Sequence, residues 1–352
     1  MGADESDFAR PFLFCKKVNG GVNILKQKKL VNYSKFGYLF AIPFFLTFLV
    51  FTLYPVAYTL VIGFTNHEGA IPPKLKFLKD PLANFKYLFK KRSSGAKSYF
   101  LEALITTCRI WIVNFLPQLG LALLLSAWFT DNRVKVKGQG FYKVVFYLPN
   151  IITAATVAIL YNTLFSYPKG PVNDLLMHLH IIKEPYYFLL NKRPTRMIVE
   201  FIQCWQWYGS TMITLIAAVI GINPEIFEAA EIDGASRWKK FWYITLPSVR
   251  PIMLFTLVTS LIGGLSMFDI PQLLASGGPD NATTTIAIYI YNTAFKKPYK
   301  YNRSAAASVI LFLIVIVCSA TLFFIMRDKD AAKMEKLKKQ AMKKAKLEQK
   351  GA

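Results

Sequence analysis

Charged residues are scarce in this sequence of 352 residues. Asp, Glu, Lys and Arg make up 18% of it, whereas about 25% is usual for soluble globular domains. Hydrophobic residues make up 54%, and 29 of the residues are Phe. This balance excludes an ordinary soluble domain and indicates a protein that exposes apolar surface to lipid.

Residues that bind metals or form disulfides are also few. The chain has three histidines and four cysteines; Cys15 lies in the N-terminal tail, whereas Cys108, Cys204 and Cys318 lie in apolar runs. No CxxC spacing occurs, so we predict neither a disulfide framework nor a metal site. No nucleophile–base pair suggests catalysis. The sequence therefore predicts a protein that is not an enzyme.

A phosphate-binding loop is absent as well. The pattern GxxxxGK[ST] does not occur, and the segment SSGAKS at 93–98 matches it only superficially. We therefore expect no bound cofactor, and any ATP chemistry must belong to a separate chain.

Long apolar runs dominate what is present. Each is long enough to cross a bilayer, which takes about 20 residues, and backbone groups in lipid must be paired within helices. The first run is too long for a signal-peptide core and is interpreted as a retained span. The prediction is an all-α polytopic membrane protein with six transmembrane helices, at 37–64, 103–129, 142–165, 196–221, 247–270 and 304–326.

The net charge of +23 comes from bases in the tails and loops beside these runs. Attraction to anionic lipid and control of topology explain this distribution better than nucleic-acid binding. More bases fall on the side shared by the two tails, although the segment 86–97 opposes this bias. We expect both tails, 1–36 and the Lys-rich 327–352, to be cytoplasmic, with a membrane domain at 37–326.

The loop between the fourth and fifth runs is unusually rich in charge. It reads EAAEIDGASRWKKFWYITLP, from Glu228 to Pro247. Asn223 and Ser236 can each cap a helix, and Gly234 suits a left-handed helix stop. The sequence predicts a helix–Gly–helix elbow with exposed acids. A helix lying on lipid headgroups is the alternative, but an anionic membrane gives no reason for acids there.

This loop resembles the EAA loop of ABC-importer permeases. Further segments resemble the carbohydrate (maltose/oligosaccharide-type) permeases: LYPVAYTLVIGFTN at 53–66, YKVVFYLPNIITAATVAILYNTLF at 142–165, GPVN at 170–173 and GGPDNATTTIAIYIYNTAF at 277–295. The resemblance covers about 37–326; it departs from the family at INPEIF, 222–227, and at Thr106-Thr107. The matching loop residues are Glu228, Ala229, Ala230, Asp233, Gly234, Ala235, Ile244, Leu246 and Pro247.

The resemblance implies a permease subunit in the inner membrane of a prokaryote. Its implied partners are two copies of an ABC ATPase, a second homologous permease and an external solute-binding protein. The loop at 223–247 would dock on the ATPase, where Glu228 would pair with a basic residue. Gly234 would make the turn, and Asp233 would brace the elbow.

A sugar site needs aromatic faces and uncharged hydrogen-bonding groups within the membrane. The fourth and fifth spans contain both, and the resemblance implies that the substrate path follows these spans. Packing between helices is the alternative role for such residues, and we assign it to Trp205. The candidate substrate-binding residues are Gln203, Gln206, Trp207, Ser210, Gly264 and Met267.

Two alternatives stay open at this point. An ion-coupled sugar carrier would use Glu200 and Asp269, the acids nearest the membrane core, but it would have no use for a coupling elbow. The same ABC frame could instead carry a glycerol-phosphate-type substrate. A basic cluster at Lys296, Lys297, Lys300 and Arg303 could bind a phosphate, but a partner protein is the preferred interpretation.

Overall fold

A computed structural model describes residues 34–71, 74–93, 95–131, 137–326 and 342. Nearly all of the two predicted tails lies outside these residues. The described part is helical and contains no strand, only an isolated antiparallel bridge between Thr65 and Phe77. The α-helices are α1 Ser34–Phe48, α2 Tyr54–Ile62, α3 Ala83–Phe89, α4 Tyr99–Thr130, α5 Gln139–Ile151, α6 Ala154–Leu164, α7 Pro171–His178, α8 Lys192–Ile220, α9 Pro224–Ile232, α10 Arg237–Lys240, α11 Leu246–Ser248, α12 Arg250–Leu265, α13 Asp269–Ala275, α14 Ile286–Phe295 and α15 Tyr301–Met326.

Four described helical segments are long and apolar enough to cross a membrane. They are 38–62, 99–130, 250–275 and 301–325. Two bent helix pairs, α5 with α6 and α8 with α9, raise the number to six if each pair counts as one span. The all-α membrane class predicted from the sequence is therefore confirmed.

The predicted third span, 142–165, is not one straight helix. α5 and α6 meet at an angle of 89°, and Ile152 between them has extended backbone angles. Pro149 lies near the end of α5, and its missing N–H removes a helical hydrogen bond. The Thr153 hydroxyl then accepts a bond from the Thr156 N–H at 3.3 Å and starts the new helix. The apolar residues on both sides of Pro149 and Asn150 concealed this break.

The chain divides after Tyr58 into two compact units. In the first, α1 contains Pro43 and continues through a π-helical turn, Leu49–Leu53, into α2. The Thr47 hydroxyl donates to the carbonyls of Pro43 and Phe44. The large apolar side chains described in this unit, from Tyr38 onward, are exposed, as expected for a helix that faces lipid.

The second unit is organised around α4, which packs most extensively on α8. Three buried clusters follow one another along α4. The first contains Phe100, the second contains Ile110, and the third contains Ala122 and Phe129. α4 has 32 residues and is therefore about 48 Å long, so it connects both ends of this unit.

Small residues allow neighbouring helices to approach closely. A Cβ added to Gly209 of α8 would lie 2.2 Å from the carbonyl oxygen of Phe146 in α5. Helices in lipid associate through such close van der Waals packing, because lipid is as apolar as their side chains. Gly209 therefore fixes the position of α5 against α8.

Candidate substrate cavity and coupling loop

A cavity of about 600 Å³ lies between α4, α8 and α12, beside the break between α5 and α6. This volume is within the range of pockets that enclose small organic ligands, about 300–1,000 Å³. Tryptophan, amide and hydroxyl side chains dominate the lining. The described lining residues are Trp111, Asn114, Gln118, Asn150, Ile152, Ala154, Gln203, Gln206, Trp207, Ser210, Thr211, Thr214, Phe255, Thr256, Thr259, Ser260, Gly263, Gly264, Ser266, Met267, Phe268, Asp269 and Ile270.

All six candidate substrate residues from the sequence line this cavity. Gln206 is also part of the helix packing, since its Nε2 donates to the Ile152 carbonyl at 3.3 Å. Gln203 is buried, and its side chain makes no hydrogen bond with the described residues. Trp207 is 52% exposed, so its ring face is accessible. Trp205 packs outside the cavity, with its ring 5.9 Å from that of Tyr161.

α4 contributes a wall of the cavity that was not predicted from the sequence. Trp111, Asn114 and Gln118 recur at helical spacing and all line the cavity. Polar residues at this spacing inside an apolar run were the available signal. The Trp111 Nε1–H donates to the Ser260 hydroxyl at 3.1 Å. A Cβ on Gly264 would lie 2.0 Å from Trp111 Cδ1, so only glycine leaves room for the indole.

Hydrogen bonds fix part of the polar lining and leave another part free. Gln118 Nε2 donates to the Thr211 hydroxyl at 2.9 Å, which joins α4 to α8. The Thr256 hydroxyl is buried and has no hydrogen-bond partner among the described residues. Asp269 is the one charged side chain in the described lining. Apart from Asp269, the cavity therefore offers uncharged donors and acceptors to a ligand.

The charged loop forms a helical elbow. The Asn223 side chain accepts a bond from the Glu225 N–H and caps α9, as predicted. At the other end, the N–H of Ala235 bonds to the Ala230 carbonyl and that of Gly234 to the Glu231 carbonyl. This is a Schellman motif, and Gly234 has the positive φ, +72°, that it requires.

α10 follows the turn and continues through a π-helical segment into α11. The Ser236 hydroxyl caps α10 by accepting from the Lys239 N–H at 3.3 Å. The π-helical segment, Phe241–Thr245, leads into α11, which contains Leu246 and Pro247. Together α9, α10 and α11 form the elbow that the sequence predicts.

Ion pairs hold the elbow in place. Lys240 Nζ lies 2.6 Å from Glu231 Oε1, and Arg237 Nε lies 3.2 Å from Asp131 Oδ2, just beyond the end of α4. Asp233 makes no side-chain hydrogen bond or ion pair with the described residues, so Glu231 provides the ionic contact across the turn. The role of Asp233 in bracing the elbow, which the resemblance implies, stays a prediction.

The outer surface of the elbow is charged and apolar at once. Glu228 and Ala229 are exposed, whereas Ala230 is buried. Ile232 is 87% exposed, and Trp238 and Tyr243 are also exposed. Exposed large apolar side chains beside exposed charges are compatible with a protein contact on this loop.

The remaining candidates lie elsewhere. Glu200 of α8 is buried, and its Oε1 has no hydrogen-bond partner among the described residues. In the basic cluster, the Arg303 guanidinium lies 3.6 Å from the centre of the Tyr87 ring, while Lys296 and Lys297 are exposed. No group of three or more His, Cys, Asp or Glu side chains suited to a metal occurs in the described part of the chain.

Comparison with known proteins supplies the family. The family model described as "Binding-protein-dependent transport system inner membrane component" matches residues 97–329. The lactose transport system permease protein LacF of Rhizobium radiobacter is 31% identical over 299 residues, which cover 84% of this chain and 96% of LacF. The sn-glycerol-3-phosphate transport system permease protein UgpA of Agrobacterium fabrum is 29% identical, over 81% of this chain and 92% of UgpA.

Solved structures show the same fold. A bacterial ABC transporter involved in the import of the acidic polysaccharide alginate matches with a TM-score of 0.70 and 24% identity, over 84% of this chain and 97% of that one. A second alginate ABC transporter structure, in complex with an alginate pentasaccharide-bound periplasmic protein, matches with a TM-score of 0.71 and 25% identity, over 84% and 96%. The chain therefore belongs to the inner-membrane permease components of binding-protein-dependent transport systems, among the permeases of sugar ABC importers.

Proposed function

We propose that this chain is the permease subunit through which an importer moves a neutral oligosaccharide across the inner membrane. The observation that carries the proposal is the cavity between α4, α8 and α12. Tryptophan rings suit the apolar faces of sugar rings, and amides and hydroxyls suit their hydroxyl groups. Gln203 lines the cavity, and its side chain makes no hydrogen bond with the described residues, so its amide is left for a ligand.

The charge of the cavity lining favours a neutral substrate over an anionic one. The described cavity lining contains no Lys, Arg or His and one acid, Asp269. A phosphate or a uronate would lack a cationic partner there, and an unpaired buried anion is strongly disfavoured. The relative UgpA is named for an anionic substrate, sn-glycerol 3-phosphate, but this lining supports a maltose- or lactose-like sugar instead.

Energy would come from a separate ATPase, present in two copies, which uses the ATP. The elbow formed by α9, α10 and α11 would dock on it, with Glu228 paired to a base and with Leu246 and Pro247 leading into the membrane. The elbow and both tails would then face the cytoplasm. A second homologous permease and an external solute-binding protein that delivers the sugar complete the assembly. No nucleic acid is involved, and lipids surround the spans.

Uptake by the assembled importer tests the substrate class. The complex, purified from its native membrane and reconstituted in vesicles with ATP inside, is offered radiolabelled maltose, lactose and glycerol 3-phosphate. We expect ATP-dependent uptake of a neutral sugar, with apparent affinity about tenfold lower in Gln203→Ala, because a buried hydrogen bond is lost. Glycerol 3-phosphate as the only accumulated substrate would contradict the proposal.

Capture of the partners tests the coupling site. The tagged chain is isolated in mild detergent, with and without Glu228→Arg, and bound ATPase activity is measured. The wild type should retain ATPase and a second permease, and the variant should lose ATPase. A lone chain whose uptake depends on an ion gradient would support the carrier alternative, with Glu200 and Asp269 as its functional acids.

A further inference from the structure

Two segments that are distant in the sequence form one basic surface beside the start of α4. They are residues 74–97, which contain α3, and residues 296–303, which lead into α15; together we call them the basic patch. α3 packs against α15, and the Arg303 guanidinium lies 3.6 Å from the centre of the Tyr87 ring. The fold therefore joins two groups of bases that the sequence keeps far apart.

The positive charge of the basic patch is largely uncompensated. All of its lysines except Lys300 are exposed. Asp80 is the one acid in the two segments, and it is paired with Lys86 at 2.7 Å. Glu102 of α4 neutralises one further base, Arg92. A strong excess of positive charge is left at the surface, and it would attract an anionic partner.

Exposed apolar side chains are interleaved with these lysines. Phe77 is 74% exposed, and Leu82, Phe89 and Phe295 are exposed as well. At a membrane surface, aromatic and apolar side chains enter the boundary between headgroups and acyl chains, while lysine extends its charged end to the headgroups. The composition of the basic patch is therefore typical of a membrane interface rather than of a fully hydrated loop.

Packing places the basic patch at the depth of the lipid headgroups. Leu88 of α3 belongs to the same buried cluster as Phe100, in the first turn of α4, and Ala306 and Ala307 of α15. α4 is about 48 Å long, whereas the hydrocarbon core of a bilayer is about 30 Å thick. The first turn of α4, together with α3 beside it, therefore lies in the headgroup region.

An anionic lipid fits the basic patch better than a protein that binds transiently. The solute-binding protein of the proposed importer would arrive and leave in each cycle, so Phe77 and Phe295 would return to water each time. Such exposure of apolar surface is unfavourable, and lipid would cover these side chains permanently. A free phosphate would neutralise the lysines but leave the apolar side chains in water. An anionic phospholipid satisfies both.

We propose that the basic patch binds the headgroups of anionic phospholipids, with Lys90, Lys91 and Lys297 at the phosphates. α4 runs from the patch to its other end beside Asp131, which contacts the elbow, so the proposed orientation puts these lipids in the outer leaflet. The inference explains why the segment 86–97 carries bases on the side that the positive-inside bias disfavours. It assigns lipid, rather than the partner protein favoured from the sequence, to the second segment.

Lipid binding by the importer, purified with this chain in neutral detergent and delipidated, tests the inference. A fluorescent phosphatidylglycerol is the anionic probe, and the matching phosphatidylcholine is the neutral one. A base near anionic lipid contributes about fivefold in affinity, so we expect the wild type to bind phosphatidylglycerol at least about fivefold more tightly than phosphatidylcholine. The triple variant Lys90→Gln/Lys91→Gln/Lys297→Gln should lose this preference.

A matched triple variant controls for net charge. Lys169→Gln/Lys183→Gln/Arg193→Gln removes the same charge from exposed bases outside the basic patch, and it should keep the preference for phosphatidylglycerol. Elution as a single species, with the ATPase still bound, identifies folded variants.

Three results would overturn the inference. The wild type could bind the two lipids equally, or both triple variants could lose the preference to the same extent. The third result is an unchanged lipid preference in the patch variant while the solute-binding protein no longer stimulates its ATPase activity, which would make the patch a protein contact. Uptake of maltose and lactose by the wild-type importer reports on the proposed function separately, because it does not depend on which lipid the patch prefers.

Discussion

The indole of Trp111 occupies the space that a side chain on Gly264 would need. A Cβ there would lie 2.0 Å from Cδ1 of the ring, and the Trp111 Nε1–H is fixed by Ser260 one turn away. α4 and α12 therefore meet through an aromatic side chain seated on a glycine. This contact shapes one wall of the cavity.

Gly264→Ala should displace Trp111 and weaken substrate binding. Overpacking of this kind costs about 1–3 kcal/mol, so we expect the apparent affinity for the transported sugar to fall about tenfold. Uptake kinetics in vesicles provide the measurement. Gly120→Ala is the control, because Gly120 is not among the cavity-lining residues and a Cβ at that position meets nothing within 4 Å. Equal effects of the two substitutions would contradict the assigned role of Gly264.

Gly234→Val should uncouple ATP hydrolysis from transport. The residue has φ +72° in open surroundings, and a β-branched residue strongly disfavours this conformation. We expect the protein to reach the membrane with uptake reduced at least about tenfold. Gly234→Asn is the control, since Asn tolerates left-handed backbone, and it should retain most activity. Normal uptake by the Val variant would refute the elbow as the coupling element.

Arg237 and Asp131 should contribute to the same coupling step. Their ion pair joins the elbow to the end of α4, and it is partly exposed, so its effect on stability is small. We expect Arg237→Asp and Asp131→Arg each to lower transport per ATP hydrolysed several-fold. The double variant, in which the charges are exchanged, should recover part of the loss. Absence of any recovery would mean that the pair does not act as a unit.

Gly209→Ala should destabilise the membrane domain itself. The added Cβ would lie 2.2 Å from the Phe146 carbonyl oxygen, an atom of backbone that cannot move aside cheaply. We expect a loss of about 1–3 kcal/mol, seen as a fall of several degrees in Tm in detergent. Gly120→Ala, in open space on α4, should leave Tm unchanged or raise it.

The sequence predicts the class, the helices and half of the cavity. Gln203, Gln206 and Trp207 stand out because polar residues are conspicuous in an apolar run, and all of them reach the cavity. Asn114 and Gln118 are likewise polar residues inside an apolar run, the predicted second span, and could have been identified in the same way. Their neighbours, such as Thr211, lie on α8, which is far from α4 in the sequence but packs against it. Sequence periodicity shows which residues share a face of one helix, but not which other helix packs against that face.

The break in the third span was harder to predict. Pro149 weakens the helix locally, but a proline does not fix the size or direction of a bend, so the 89° angle could not be predicted from the sequence. The packing of α14 against α4 and α15 was also not predicted. No pattern within any of these segments predicts which of the others it meets.

α4 contributes to three places at once: Phe100 to the first buried cluster, Trp111 to the cavity wall, and its end at Asp131 to the elbow. α8 and α12 also line the cavity, and both are continuous with the elbow, because α9 follows α8 and α12 follows α11. All three helices that form the cavity therefore also contact or enter the elbow. The evolutionary consequence is that substitutions which alter sugar preference must also preserve the position of these helices against the elbow.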